Sequence, residues 1–213
     1  MTAPKTTLRL HRYPLSGHAH RAELFLSLLG LAAETIEVDL AVGAHKAPAF
    51  LAKNPFGQVP VLEDGDRVIA DSNAILVYLA LRYDRTGRWY PTDPDTAAEI
   101  QRWLSIAAGP LAAGPATARL VTVFGAPRDH AAAKATAHAL FGVLDRHLAT
   151  RRFVAGDGPT IADVALYSYT AHAPEGGVAL APYPRIVAWL AGIEALPGFV
   201  PMQKTEPALE AVS

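Results

Sequence analysis

The stretch "GQVPVLEDGDRVIADSNAI", residues 57–75, constrains the fold of this chain more than any other. "VPVLED" and "RVIA" are short strand-forming runs joined at Asp64-Gly65, and Asp-Gly between alternating apolar runs is the strongest short signal for a β-hairpin. Proline cannot donate to a sheet ladder, so Pro60 belongs at a strand start or on a sheet edge. An X-Pro bond is also where a cis peptide costs least. A cis Val59-Pro60 bond would turn the main-chain N–H and C=O of Val59 outward, free to pair with an extended peptide as an added strand. An ordinary edge-strand proline is the plainer alternative. At the far end, Ser72 is a favoured N-cap before the apolar run "AILVYLAL", and Asp71 adds negative charge beside the positive end of that helix. Capping alone accounts for this pair. Beside a peptide-pairing edge, the same pair also suits a ligand with a peptide backbone, its carboxylate on the helix end and its ammonium group on Asp71.

The chain changes character on either side of residues 85–95. Before them, "TLRLHRY" and "ETIEVDL" have the alternation of strands. Between these, "HAHRAELFLSLLG" places Ala22, Phe25, Leu26 and Leu29 at helical spacing and closes at Gly30. With the hairpin and the helix "SNAILVYLALRY", the order is β-α-β followed by β-β-α. Residues 85–95, "RTGRWYPTDPD", are polar and proline-containing, as a linker should be. From Thr96 onward the sequence is Ala-rich and helical, with breaks at "GP", "APRD", "GDGPT" and "APYP". The expected division is an α/β unit over 1–84, a linker over 85–95 and an all-α unit over 96–213.

Charge and composition exclude several function classes. A net charge of −1 and 18% charged residues give no bias toward polyanions, so nucleic acid is not an expected partner. The N-terminus lacks the pattern of a secretion signal and no apolar run is long enough to span a bilayer, which makes cytoplasm the expected location and leaves no membrane partner. With no cysteine at all, the chain has no disulfide framework, thiolate metal site or cysteine nucleophile. The histidines at 11, 130, 138, 147 and 172 show no metal-ligand spacing, and His18 and His20 should point to different sides of a helix. No metal is expected.

"HKAPAFLAKNPFGQVPVLEDGDRVIADSNAILVYLA" resembles the glutathione-binding half of the cytosolic glutathione transferases, in particular bacterial and serine-type members. The resemblance extends over essentially the whole chain. It implies a thioredoxin-like N-terminal domain, an all-helical C-terminal domain and glutathione as a co-substrate, with no permanently bound cofactor. Its most specific parts are "NPFGQVPVL" and "DSNAI", the latter in place of the more usual Glu-Ser. By this resemblance Val59 pairs with the cysteinyl part of glutathione, with Pro60 cis. Asp71 and Ser72 hold the γ-glutamyl end, Gln58 lies nearby, and His45 and Lys46 serve the glycine carboxylate. Phe56 would insert into a partner subunit of a homodimer or, alternatively, join the local core.

A thioredoxin-like fold without cysteine must take its reacting sulfur from the bound peptide. Activation then means lowering a thiol pKa from about 8.5 toward neutrality. The donor should lie in "HRYPLSGHAHRAEL", between the first strand and helix. Ser16 is the first candidate, at the helix start with Arg21 following. That spacing is five where the serine-type pattern has four, so Gly17 is an extra residue, or His18 or Tyr13 is the donor. For the electrophile, the expected lining is Tyr13 and Leu15 with Trp103, Ile106 and Ala107 from the first long helix of the second domain. In "GPTIADVALYSY", Thr160 and Asp163 have the spacing of a capping box and are expected to be structural. The resulting expectation is a glutathione transferase acting on small apolar electrophiles. The alternatives are a glutathione-dependent isomerase or disulfide reductase on the same thiolate, or a non-catalytic ligand-binding or interaction member.

Overall fold

The computed structural model describes residues 7–205. Strands β1 (Leu8–Arg12), β2 (Ala33–Glu37), β3 (Val61–Asp64) and β4 (Arg67–Ala70) form one sheet in the order β2-β1-β3-β4. β1 runs parallel to β2 and antiparallel to β3, which pairs antiparallel with β4. Helix α1 (Gly17–Leu28) makes the crossover that a parallel pair requires. The short α2 (Pro48–Leu51) precedes the hairpin, and α3 (Ser72–Tyr83) follows it. This is the thioredoxin-like arrangement. In β1, Leu8 and Leu10 are buried while Arg9 faces solvent and pairs with Glu34 and Glu63.

Two local readings shift by a residue. The hairpin turns on Gly65-Asp66, with Gly65 at φ +59°, because Asp64 remains in β3 opposite Arg67. There the buried Asp64 carboxylate accepts the hydroxyls of Tyr78 and Tyr83, each at 2.6 Å, and so ties the hairpin to α3. The N-cap of α3 is Asp71, not Ser72. Asp71 has non-helical dihedrals, φ 77° and ψ 129°, and its Oδ1 accepts Ala74 N–H at 2.9 Å, which leaves Ser72 as the first helical residue. A non-glycine residue at positive φ stores about 1–3 kcal/mol and is found preferentially at ligand sites.

The segment between α3 and the helical half is pinned. Trp89 is buried, stacks edge-on against Phe25, and donates its main-chain N–H to Asp84. Its carbonyl accepts Ile161 N–H from the helical half. The helical half comprises α4 (Pro94–Ala108), α5 (Thr117–Phe124), α6 (His130–His147), α7 (Ile161–Ala171) and α8 (Pro184–Glu194). α7 is buried from Ile161 to Thr170 and opens with the expected capping box of Thr160 and Asp163. Gly109-Pro110 ends α4, but Gly114-Pro115 does not end a helix. Over Ala112–Ala116 the chain widens into π-helical bonding and continues directly into α5. Gly114 is needed there, since a Cβ would lie 2.8 Å from the backbone nitrogen of Ala137 in α6. One hydrophobic core runs through both halves, and no described helix is long and apolar enough to cross a membrane.

Candidate active site

A cavity of about 1220 Å³ lies between the sheet domain and the helical domain. Its floor is the turn from β1 into α1. Ser16 N–H donates to Tyr13 C=O at 3.0 Å, closing the turn, and Ser16 Oγ caps α1 by accepting Ala19 N–H at 3.2 Å. Tyr13, Leu15, Ser16 and His18 all reach the cavity. His18 Nδ1 accepts from Arg21 at 3.1 Å, and its ring meets Tyr169 edge-on at 5.0 Å. Burial, helped by the Arg21 guanidinium, pulls the His18 pKa down to about 3, so the imidazole is neutral. His20 turns the other way, with Nδ1 at 2.9 Å from Ser168 Oγ and Nε2 donating to Val200 C=O.

The second side of the cavity comes from the loop before β3. The Val59-Pro60 peptide is cis, and neither main-chain group of Val59 has a partner among the described residues. Gln58 is exposed beside it, and its carbonyl accepts Asn54 Nδ2 at 2.8 Å. Lys46 is exposed but not idle. Its ammonium donates to the carbonyls of Phe56 and Gly57 at 3.2 and 3.3 Å, clasping the loop where Gly57 has φ +58°. His45 lines the same side, whereas Phe56 is 80% exposed, which excludes a place in the local core. Asp71 and Ser72 close this side. Ser72 Oγ accepts from the buried Arg21 at 3.2 Å, and Arg21 Nε and one terminal nitrogen have no partner among the described residues. Burial lowers the Arg21 pKa to about 10, which still leaves it charged.

The third side departs from the sequence expectation. Trp103, Ile106 and Ala107 do not line the cavity. Ile100, Trp103, Leu104 and Ala107 form the buried stripe of α4, and Ile106 packs against the same core. The helical side consists instead of Ala112 and Ala116 from the π-helical segment, Arg119, Leu120 and Phe124 from α5, and Tyr169 from α7. Arg119 is buried and fully engaged. It donates to Glu175 at 2.6 Å and to Leu15 C=O at 2.8 Å, next to Ser16. His172 Nδ1 and Thr205 Oγ1 also meet Glu175. Sequence reasoning passed over Arg119 and Tyr169. A single cation inside the otherwise uncharged "GPATARLVTVF" was the available signal for the first; nothing local marked the second. Among the described residues, no cluster of three or more His, Asp or Glu side chains is placed to hold a metal.

Fold and cavity define a two-domain protein of the thioredoxin-like class, with a cis-proline strand and a helix N-terminus facing a groove roofed by helices. The model of the glutathione S-transferase N-terminal domain matches residues 6–81, and that of the C-terminal domain matches residues 113–197. Glutathione S-transferase 3 of Zea mays is 37% identical over 212 residues, spanning 95% of this chain and 94% of that protein. The solved glutathione S-transferase of Pseudomonas fluorescens has a TM-score of 0.88 at 31% identity, covering 93% of this chain and 100% of that one. A glutathione transferase homolog from Drosophila mojavensis, solved with bound glutathione, has a TM-score of 0.82 at 28% identity and covers 90% of this chain and 89% of its own. The chain belongs to the glutathione S-transferase family.

Proposed function

We propose that this chain is a serine-type glutathione transferase in which the Ser16 hydroxyl donates a hydrogen bond to the thiolate of bound glutathione, and that small apolar electrophiles enter between Tyr13, Leu15 and the α5 face. The carrying observation is that one cavity holds a capped helix start at Ser16, a Val59 main chain without a partner among the described residues beside a cis proline, and the Asp71-Ser72 pair. An extended γ-glutamyl tripeptide has groups to match each: a backbone for Val59, an α-ammonium for Asp71, a carboxylate for the first-turn N–H groups of α3, and sulfur for Ser16. His45 and Lys46 are assigned to the far, glycyl end, and Gln58 to the neighbourhood of the γ-glutamyl end. Lowering a thiol by one pKa unit takes about 1.4 kcal/mol, within reach of one hydroxyl donor assisted by the N-terminal end of α1. Solvent exposure of Phe56 supports its use as a homodimer contact.

The test is glutathione conjugation to aryl halides, epoxides and disulfides by wild type and Ser16→Ala, with bound thiolate followed by ultraviolet absorbance across pH. A depressed thiol pKa and turnover, both lost in Ser16→Ala, support the assignment. A shift that survives the substitution moves the role to His18 or Tyr13. Turnover of disulfides alone would favour the reductase alternative.

A further inference from the structure

The turn that carries Ser16 is held from two directions. Within the sheet domain, Ser16 N–H donates to Tyr13 C=O at 3.0 Å. From the helical domain, Arg119 Nη1 donates to Leu15 C=O at 2.8 Å. This N–H and this C=O are the two polar ends of one peptide group. A planar peptide fixed at both ends has lost its freedom to swing, and Ser16 Cα lies in the same plane.

Arg119 is itself firmly seated. It is 2% exposed, and each of its three side-chain nitrogens has a partner: Nε donates to Glu175 at 2.6 Å, Nη1 to Leu15, and Nη2 to the Thr205 hydroxyl at 3.4 Å. Glu175 also accepts from His172 Nδ1 at 2.6 Å, from Thr205 N–H at 3.2 Å and from the Thr205 hydroxyl. Burial works against the Glu175 charge, but the donors from Thr205, Arg119 and His172 outweigh it and hold the carboxyl below its usual range. The main chains are locked at the same point. A Cβ on Gly176 would lie 2.7 Å from the Arg119 backbone nitrogen, and the Thr122 hydroxyl donates to Glu175 C=O at 2.5 Å. A buried Arg–Glu pair contributes little net stability over well-packed apolar residues of similar volume. Here one arm of its fork reaches the main chain beside Ser16.

We propose that Arg119, seated on Glu175, is a positioning residue: it fixes the Leu15-Ser16 peptide plane and so sets where the Ser16 hydroxyl stands relative to the sulfur of the bound tripeptide. This rests on the reading of Ser16 above. The helical domain thereby aims a donor that belongs to the sheet domain.

Two variants separate placement from charge and from stability. Arg119→Lys keeps a cation but lacks the planar fork that serves Glu175 and Leu15 together. Arg119→Met combined with Glu175→Leu removes both charges at once, so neither is left buried and unpaired. Each is made with and without Ser16→Ala, and the bound-thiol pKa, the pH profile of kcat/KM, the KM for glutathione and the melting temperature are measured. In both, the thiol pKa and the acidic limb of the profile should rise by about 0.5–1, giving roughly three- to tenfold less thiolate at neutral pH. The KM for glutathione should stay within about twofold, and neither variant should raise the thiol pKa further in the Ser16→Ala background. Thr205→Val trims the cluster at its edge and should show a smaller rise, roughly twofold less thiolate, which carries the test if the other variants fail to fold. A thiol pKa that is shifted in wild type, lost in Ser16→Ala and unmoved in the folded cluster variants overturns this inference alone, whatever the melting temperature does. So does a wild-type profile in Arg119→Lys beside a shifted one in the apolar pair, which would make the effect one of charge. An unshifted thiol in wild type overturns both readings.

Discussion

Replacing Asp163 should test whether the most conspicuous motif of the helical half is architectural. Its carboxylate is 1% exposed and takes hydrogen bonds at both oxygens: Val154 N–H at 3.0 Å and Trp189 Nε1–H at 2.9 Å on Oδ1, Thr160 N–H at 2.9 Å and the Thr160 hydroxyl at 3.2 Å on Oδ2. Burial pushes the carboxyl up to about 6, which still leaves it ionised at neutral pH. In Asp163→Asn, one oxygen becomes an NH2 group that cannot accept. Placed at the Oδ1 position it would face two obligate donors. At the Oδ2 position it faces one, because the Thr160 hydroxyl can rotate and accept. The amide therefore settles at Oδ2 and leaves Thr160 N–H orphaned, while the remaining bonds lose their charge. An orphaned buried donor costs about 1–3 kcal/mol and each charge-assisted bond weakens by up to about 1 kcal/mol, so a total of about 2–4 kcal/mol is expected. For a chain of this length that is a fall in melting temperature of roughly 5–15 °C. Asp163→Ala orphans three N–H donors and opens a void, and should lose more than the Asn variant. Thermal and urea denaturation followed by circular dichroism measure the loss. Glutathione affinity of the folded fraction at low temperature should be unchanged, since Asp163 does not line the cavity. A melting temperature within 2 °C of wild type, or weakened glutathione binding at unchanged stability, would refute this reasoning.

Two further substitutions probe how the domains meet. Gly17→Ala should gain a few tenths to 1 kcal/mol of helix propensity but lose about 1–3 kcal/mol to overpacking against the buried Tyr169 ring, so melting temperature and turnover should both fall; a stabilised, fully active variant would count against the close packing. His20 is 2% exposed, and burial lowers its pKa from 6.5 to about 4. Unfolded chains therefore bind a proton near pH 6.5 that folded chains refuse. The stability contributed by the neutral ring is complete above that pH and is lost as pH falls toward 4, roughly 3 kcal/mol over the full window. Urea denaturation from pH 7 to 4.5 should show a shallower decline in His20→Asn than in wild type; parallel declines would contradict the assignment.

How much of this was legible in sequence depended on contrast between neighbouring residues. The hairpin, α1 and α3 were readable because turn residues and β-branched runs alternate sharply there, and α3 begins and ends where the apolar spacing places it. The cap moved by one residue because both Asp71 and Ser72 are good caps, and the choice was made by a positive φ that no local propensity encodes. On the sheet side the candidates Ser16, His18, His45, Lys46, Gln58, Val59, Pro60, Asp71 and Ser72 all line one cavity, because short-range motifs carried them. The helical side was not legible. "SIAAGPLAAGPATARL" has little polarity contrast to set a helical phase, so the sequence could not say which helix would reach the cavity. Arg119 and Tyr169 matter through partners more than 100 residues away, Leu15 and Gly17, and pairings at that separation leave no local pattern.

The π-helical turn at Ala112–Ala116 makes that flank sensitive to length rather than to side-chain identity. An α-helix advances about 100° per residue, so losing one residue there and reverting to α-helical winding would swing Thr117–Phe124 through roughly that angle. Arg119 would come away from Leu15 and Glu175, and Leu120 and Phe124 would leave the cavity, all in one genetic event. A single-codon deletion or insertion can thus re-face the helical half of the cavity while the half built on the sheet and its cis-proline loop stays as it is.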